Sequence, residues 1–128
     1  ALAGIDVSCA EPVQVVRYAP GAGVESHQDF FDPQDISTRA LVGRGGQRIA
    51  TVLVYLRAPQ SGGETLFSDV QLEFCPHPGA AVLFFYPTAS DEDRTLHSSA
   101  PVIDGEKWIA TVWFREPRCE GDQTESNA

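Results

Sequence analysis

Methionine does not occur anywhere in the 128 residues, position 1 included. The chain therefore reads as a processed form, a fragment or an excised domain of something longer. No run approaches the roughly 18 apolar residues of a membrane helix, and the longest, residues 80–86, is strand-sized. The first ten residues carry no basic side chain ahead of their apolar positions and include Asp6, so they are not expected to be an intact signal peptide. Positive charge is scarce: nine lysines and arginines face eighteen acidic residues, for a net charge of −9. That balance opposes binding to a phosphate backbone, so neither nucleic acid nor membrane is expected as a partner. Cys9, Cys75 and Cys119 fit no C-x-x-C metal or redox spacing. Amphipathic helices of useful length, internal repeats and interdomain linkers are also missing.

What remains is a β pattern. Glycine and proline punctuate the chain about every ten residues, and the segments between them are short, β-branched and aromatic, as in sandwiches and barrels. Strands are expected at 13–18, 24–30, 48–57, 64–67, 71–75, 80–86, 95–102 and 107–115, with a long polar loop from Asp32 to Gly46. Segment 48–57 is apolar on both faces, as befits a central strand. Eight antiparallel strands in one short domain predict an all-β double-sheet jelly roll (a double-stranded β-helix). Residues 1–12 form an N-terminal extension, 13–116 the domain and 117–128 an acidic tail.

Histidine occurs only three times. His27 and Asp29 lie on the second expected strand two residues apart, so strand alternation points both the same way. Their separation along such a strand is about 6–7 Å. In a jelly roll the second and seventh strands are neighbours, which brings His97 to the same inner face. Two imidazoles and one carboxylate on one face of an octahedron leave three positions open, the arrangement used by non-haem iron(II) oxygenases. Lys107 is the only lysine, and it enters the apolar segment GEKWIATVWF. An ammonium in that position needs an anionic partner or a route to solvent, and the distal carboxylate of a dicarboxylic acid would be such a partner. Tyr18 and Tyr55, on strands flanking the eighth, are placed to donate hydroxyl hydrogen bonds to the same anion.

Several spaced motifs accompany these residues: QVVRY at 14–18, H-x-D at 27–29, GGQRIATVLVYL at 45–56 and GGET at 62–65. PHPGA at 76–80, LH at 96–97, PVIDGEKW at 101–108 and the W-x-R of residues 113–115 follow. Together they resemble the catalytic domain of the prolyl 4-hydroxylases, within the iron(II)- and 2-oxoglutarate-dependent oxygenases, from about Val13 to Arg115. The resemblance implies that His27, Asp29 and His97 are the catalytic iron ligands and that Lys107 receives the C5 carboxylate of 2-oxoglutarate. It places Tyr18, Tyr55, Thr65 and Trp113 around the cofactor pocket. It further implies a dioxygenase that hydroxylates peptidyl proline in a peptide or protein substrate, consumes O2, releases succinate and CO2, and uses ascorbate. Members of that family carry a helical layer before the first strand. Only twelve residues precede Val13 here, so either that layer is missing or the long apolar strands at 49–56 and 80–86 have an exposed face.

Three alternatives stay open: an oxygenase of the same kind acting on another residue or a free amino acid, a cupin-like metalloprotein, and a lectin-like jelly-roll binding module. Cupins favour H-x-H followed by glutamate, and a binding module has no need of a buried Lys107. A last expectation concerns the chain ends. If Val13 stands opposite Arg115, the register carries Cys9 to Cys119, and a disulfide there would imply an oxidising compartment such as the endoplasmic reticulum.

Overall fold

The computed structural model describes residues 4–117. Among these are ten strands: β1 (Gln14–Tyr18), β2 (Val24–His27), β3 (Arg48–Arg57), β4 (Ser61–Gly62), β5 (Thr65–Phe67), β6 (Leu72–Phe74), β7 (Ala81–Phe85), β8 (His97–Ser99), β9 (Val102–Asp104) and β10 (Lys107–Arg115). The major sheet runs β1-β10-β3-β7 and the minor sheet β2-β8-β5-β6, with every pairing antiparallel. Eight strands thus form the two-sheet jelly roll. The other two, β4 and β9, form a separate short ladder that the sequence pattern does not separate from loop.

The central strands β3 and β10 form the broadest pairing, from Trp108 opposite Arg57 to Arg115 opposite Arg48. Both present alternate residues inward, so Thr51 and Leu53 on one line the same cavity as Ile109, Thr111 and Trp113 on the other. Phe67, Phe84 and Tyr86 close the end of the core where the two sheets meet, and Tyr18, Leu53, Tyr55, Val102 and Ile109 fill the middle. On the opposite face of the major sheet, Ile5 and Ala10 pack over Ala50, Val52 and Phe114. Val15, Leu56 and Phe85 stay exposed. The expected open apolar face is therefore present but partly covered by the N-terminal segment.

Four expectations need correction. The loop after β2 contains a 3-10 turn, Ile36–Thr38, and a short α-helix, α1 (Arg39–Gly45). Its seven residues bury nothing fully and carry no apolar stripe, so the helix left no periodic signal. β2 ends at His27, which leaves Asp29 in a bend beyond the ladder. The seventh expected strand, 95–102, pairs only over β8, before its chain crosses to β9. The fourth correction is register. Gln14 pairs with Thr111 and Ala10 bridges Phe114, so Val13 does not face Arg115. Cys9 therefore sits near the level of Arg115, and the alignment that suggested a Cys9–Cys119 bridge is lost; Cys119 itself lies outside the described residues.

Candidate active site

One cavity of 140 Å³ opens between the sheets, with His27, Asp29 and His97 at one end and Lys107 at the other. The end with the three candidate ligands is built from two strand ends and a bend. His27 is directly opposite His97 across the β2–β8 ladder, and their rings lie 4.3 Å apart. The chain bends after His27 and brings Asp29 back, so that Asp29 Oδ1 is 3.3 Å from His27 Nε2 and 3.4 Å from His97 Nε2. The three residues thus converge as expected, although a bend rather than strand alternation aims the carboxylate.

The tautomers are set by the backbone. His27 Nδ1–H donates to the Glu25 carbonyl at 2.9 Å and His97 Nδ1–H donates to the Thr95 carbonyl at 2.7 Å. In the neutral rings both Nε2 lone pairs therefore face Oδ1, which is how protein metal sites orient imidazole, and when a ring takes up a proton its Nε2–H donates to Oδ1 instead. Ligand atoms on adjacent octahedral positions with bonds of about 2.1 Å lie about 3 Å apart, close to the spacing here. Two neutral imidazoles, one carboxylate and open space on the cavity side fit an iron(II) ion.

Asp29 is buried, and His27 and His97 shape its acidity. Burial pushes its pKa up, but hydrogen bonds from His27, His97 and Thr51 outweigh that and hold the carboxyl well below the usual range. The hydrogen bond to Asp29 raises the His27 pKa against the opposing effect of burial. Asp29 Oδ2 points away from the histidines and accepts from Thr51 Oγ1 at 2.7 Å and Trp113 Nε1 at 3.2 Å. Trp113, expected around the co-substrate, thus touches Asp29. Phe67 stacks on the His97 ring at 5.3 Å and Phe84 meets its edge at 4.9 Å, which fixes the imidazole plane.

At the other end Lys107 is 1% exposed. Its Nζ donates to the Gly63 carbonyl at 2.9 Å and to Ser99 Oγ. Gly62 has φ +81°, and a Cβ there would lie 2.4 Å from the Pro101 carbonyl oxygen, so the turn that presents the Gly63 carbonyl requires glycine. Tyr18 offers Lys107 its ring face, with Nζ 4.4 Å from the centroid, rather than its hydroxyl. Tyr55 reaches the cavity only through Thr65, whose Oγ1 is 2.5 Å from the Tyr55 hydroxyl. Burial lowers the Lys107 pKa to about 8, with the charge of Glu64 pulling the other way.

Residues that the sequence did not single out hold the frame. Glu11 accepts from Arg48 Nε and Arg115 Nε, both at 2.7 Å. Arg48 then lies over the Trp113 ring at 4.1 Å and the Phe31 ring at 4.6 Å. The Gln47 side chain exchanges two hydrogen bonds with the backbone of Phe31, at 2.8 and 2.7 Å, and pins the segment that follows Asp29. Arg115 Nη1 donates to the carbonyls of Leu41 and Gly46, tying α1 to the end of β10. Arg48 and Arg115 lie within the GGQRIATVLVYL and W-x-R motifs, which assign them no role of their own.

Comparison with known proteins agrees with this geometry. A putative prolyl 4-hydroxylase of Acanthamoeba polyphaga mimivirus is 43% identical over 111 residues, covering 84% of this chain and 46% of that protein. The human prolyl 4-hydroxylase subunit alpha-1 is 38% identical over 117 residues, 90% of this chain and 22% of the relative. The chain thus spans less than half the length of these two relatives. Among solved structures, the viral collagen prolyl hydroxylase of Paramecium Bursaria Chlorella virus-1, as a 2OG complex, superposes with a TM-score of 0.71 at 36% identity. That match covers 85% of this chain and 60% of the other. The family model described as the 2OG-Fe(II) oxygenase superfamily matches residues 13–115. With the two-sheet fold, the His27–Asp29–His97 cluster and that match in one chain, the protein belongs to the 2OG-Fe(II) oxygenase superfamily and carries a prolyl 4-hydroxylase-like domain.

Proposed function

We propose that the domain is an iron(II)- and 2-oxoglutarate-dependent dioxygenase that hydroxylates peptidyl proline, with His27, Asp29 and His97 as iron ligands and Lys107 as the anchor for 2-oxoglutarate. The observation that carries this reading is the single cavity with the His27–Asp29–His97 cluster at one end and a buried lysine, paired only to neutral oxygens, at the other. Iron(II) with 2-oxoglutarate and dioxygen supplies the oxidising equivalent that inserts one oxygen atom into a C–H bond, while 2-oxoglutarate is converted to succinate and CO2.

The protein's share is orientation and electrostatics. Lys107 neutralises the distal carboxylate in a site closed to water, where a charge-assisted hydrogen bond gains most. Thr65 and the ring of Tyr18 flank that charge. Asp29, held on Oδ2, keeps Oδ1 toward the metal. The His27 side chain is 42% exposed and that of His97 only 7%. Substrate therefore approaches past β2, while the β8 side stays sealed by Phe67 and Phe84. The named relatives favour peptidyl proline over a free amino acid. Ascorbate is assigned the role of keeping the iron reduced.

The test is incubation with proline-rich peptides, iron(II), 2-oxoglutarate and ascorbate. The expected result is a gain of one oxygen atom in the peptide, located on proline, with one succinate per turnover. Succinate formation driven by a free amino acid, with peptides unmodified, would replace the substrate class and keep the enzyme class.

Acidity adds a second expectation. Lys107 has a folded-state pKa of about 8, below its ordinary value of 10.5. Between those values the unfolded chain binds the extra proton, so stability without ligand rises from pH 8 to 10.5. Co-substrate binding has the opposite trend, because the anion needs the ammonium. The Kd of 2-oxoglutarate should rise above pH 8, approaching tenfold per pH unit, as read by titration calorimetry of the manganese(II)-loaded protein. A Kd that stays flat from pH 7 to 10 would remove Lys107 from the site.

A further inference from the structure

The two carboxylate oxygens of Asp29 have different surroundings. Oδ1 faces the two histidine Nε2 atoms, whereas Oδ2 accepts from Thr51 Oγ1 at 2.7 Å. The same Oγ1 lies 2.7 Å from the Tyr86 hydroxyl. A threonine hydroxyl has one proton, and an ionised carboxylate can only accept. Thr51 must therefore give its proton to Asp29, and Tyr86 must give its own to Thr51. The direction of the chain is fixed as Tyr86 to Thr51 to Asp29. All three side chains are buried, Tyr86 at 0% and Thr51 at 1% exposure, and Thr51 is the one hydrogen-bond partner of the Tyr86 hydroxyl among the described residues. Tyr86 is itself wedged between Phe84 and Phe30, with ring centroids 6.0 and 6.1 Å away, so its hydroxyl has a fixed place.

We propose that Tyr86 and Thr51 are positioning residues that hold Oδ2 of Asp29 away from the metal, so that Asp29 ligates through Oδ1 alone. This inference rests on the reading of His27, Asp29 and His97 as ligands. Its functional content is preorganisation. A carboxylate already fixed in its ligating rotamer loses no rotational freedom when the cation arrives, and one with both oxygens free loses that and also occupies a second position needed by co-substrate. Trp113 Nε1, at 3.2 Å from Oδ2, is the weaker second tether. No other residue among the described ones donates a hydrogen bond to Oδ2.

The test measures manganese(II) affinity, by the electron paramagnetic resonance signal of the free ion, in variants of the full chain. Thr51→Val should weaken binding about ten- to hundredfold, the usual effect of removing a partner of a metal ligand. Thr51→Ser, which keeps the hydroxyl, should restore it, and Tyr86→Phe should weaken it several-fold. Thr51→Val alone leaves the Tyr86 hydroxyl buried without a partner and is at risk of misfolding. Thr51→Val combined with Tyr86→Phe removes both hydroxyls at nearly constant shape, orphans no tyrosine hydroxyl and keeps the Trp113 bond to Oδ2, so it folds more readily than Thr51→Val alone. A metal defect in that folded double variant supports the proposal, and wild-type affinity in it overturns the proposal. Wild-type affinity in Tyr86→Phe alone overturns the role of Tyr86. Asp29→Ala is measured alongside. If it too binds manganese like the parent, the ligand assignment has failed; if only Asp29→Ala is impaired, the positioning role has failed.

Discussion

Replacing His27, Asp29 or His97 by alanine is expected to lower iron-dependent succinate formation by more than about a hundredfold in each case, beyond the 10–100-fold typical of outer partners of a metal site. A facial set has three protein ligands, so the loss of one removes a third of the protein's hold and opens a fourth position to water. The three side chains contribute unequally to packing, His27 least. His27 is exposed, and its β2 neighbours are exposed as well. Circular dichroism should therefore report an intact β protein for His27→Ala, and the same spectrum is expected from the other two. His97→Ala opens space between Phe67 and Phe84, so its melting temperature should fall most. A variant that kept near-normal turnover and parental iron content would show that the ligand set is wrong.

Lys107→Ala should act on co-substrate and leave metal binding alone. A hydrogen bond to a charged group contributes about 1.5–3 kcal/mol, so the Kd of 2-oxoglutarate is expected to rise roughly ten- to hundredfold. The manganese(II) affinity should stay within experimental error, since Lys107 makes no contact with the three ligands. Lys107→Arg should also be poor. The pocket offers a compact ammonium two close acceptors, Gly63 and Ser99, and the flat guanidinium fork does not fit between them. Wild-type dependence on 2-oxoglutarate in Lys107→Ala would refute the assignment.

The sequence was most legible where chemistry is rare. Three histidines and one lysine in 128 residues left few candidates, and the jelly-roll order of strands was enough to bring His97 beside His27. β3 and β10 were readable to the residue because each is a long apolar run ended by charged residues. Elsewhere the signal was weaker for identifiable reasons. α1 packs through backbone contacts to Arg115 and has too few apolar residues to show a period. β4 and β9 exist as a pair only because glycines let two backbones approach, which no local propensity records. Register between β1 and β10 is regular from Gln14–Thr111 to Tyr18–Lys107 and slips by one residue before the Ala10–Phe114 bridge, a shift that no local pattern records, so an assumed pairing at the chain ends went astray. Thr51 did leave a trace. It is the one aliphatic hydroxyl residue in the stretch IATVLVYL, on the same face as Leu53 and Tyr55, and a polar side chain in that position calls for a buried partner.

The pairing of β2 with β8 places the candidate ligands on opposite sides of a long stretch of chain, with Asp29 next to His27 and His97 far downstream. Neither half alone forms a site, and an unfolded chain holds them apart by the entropy of a large loop. A cation bound between them is therefore a reversible cross-link, joining the early and late thirds of the polypeptide much as a covalent staple would. Its grip draws on the whole intervening fold. Any substitution that loosens the minor sheet, even one distant from the metal, reaches the site as a wider search for His97.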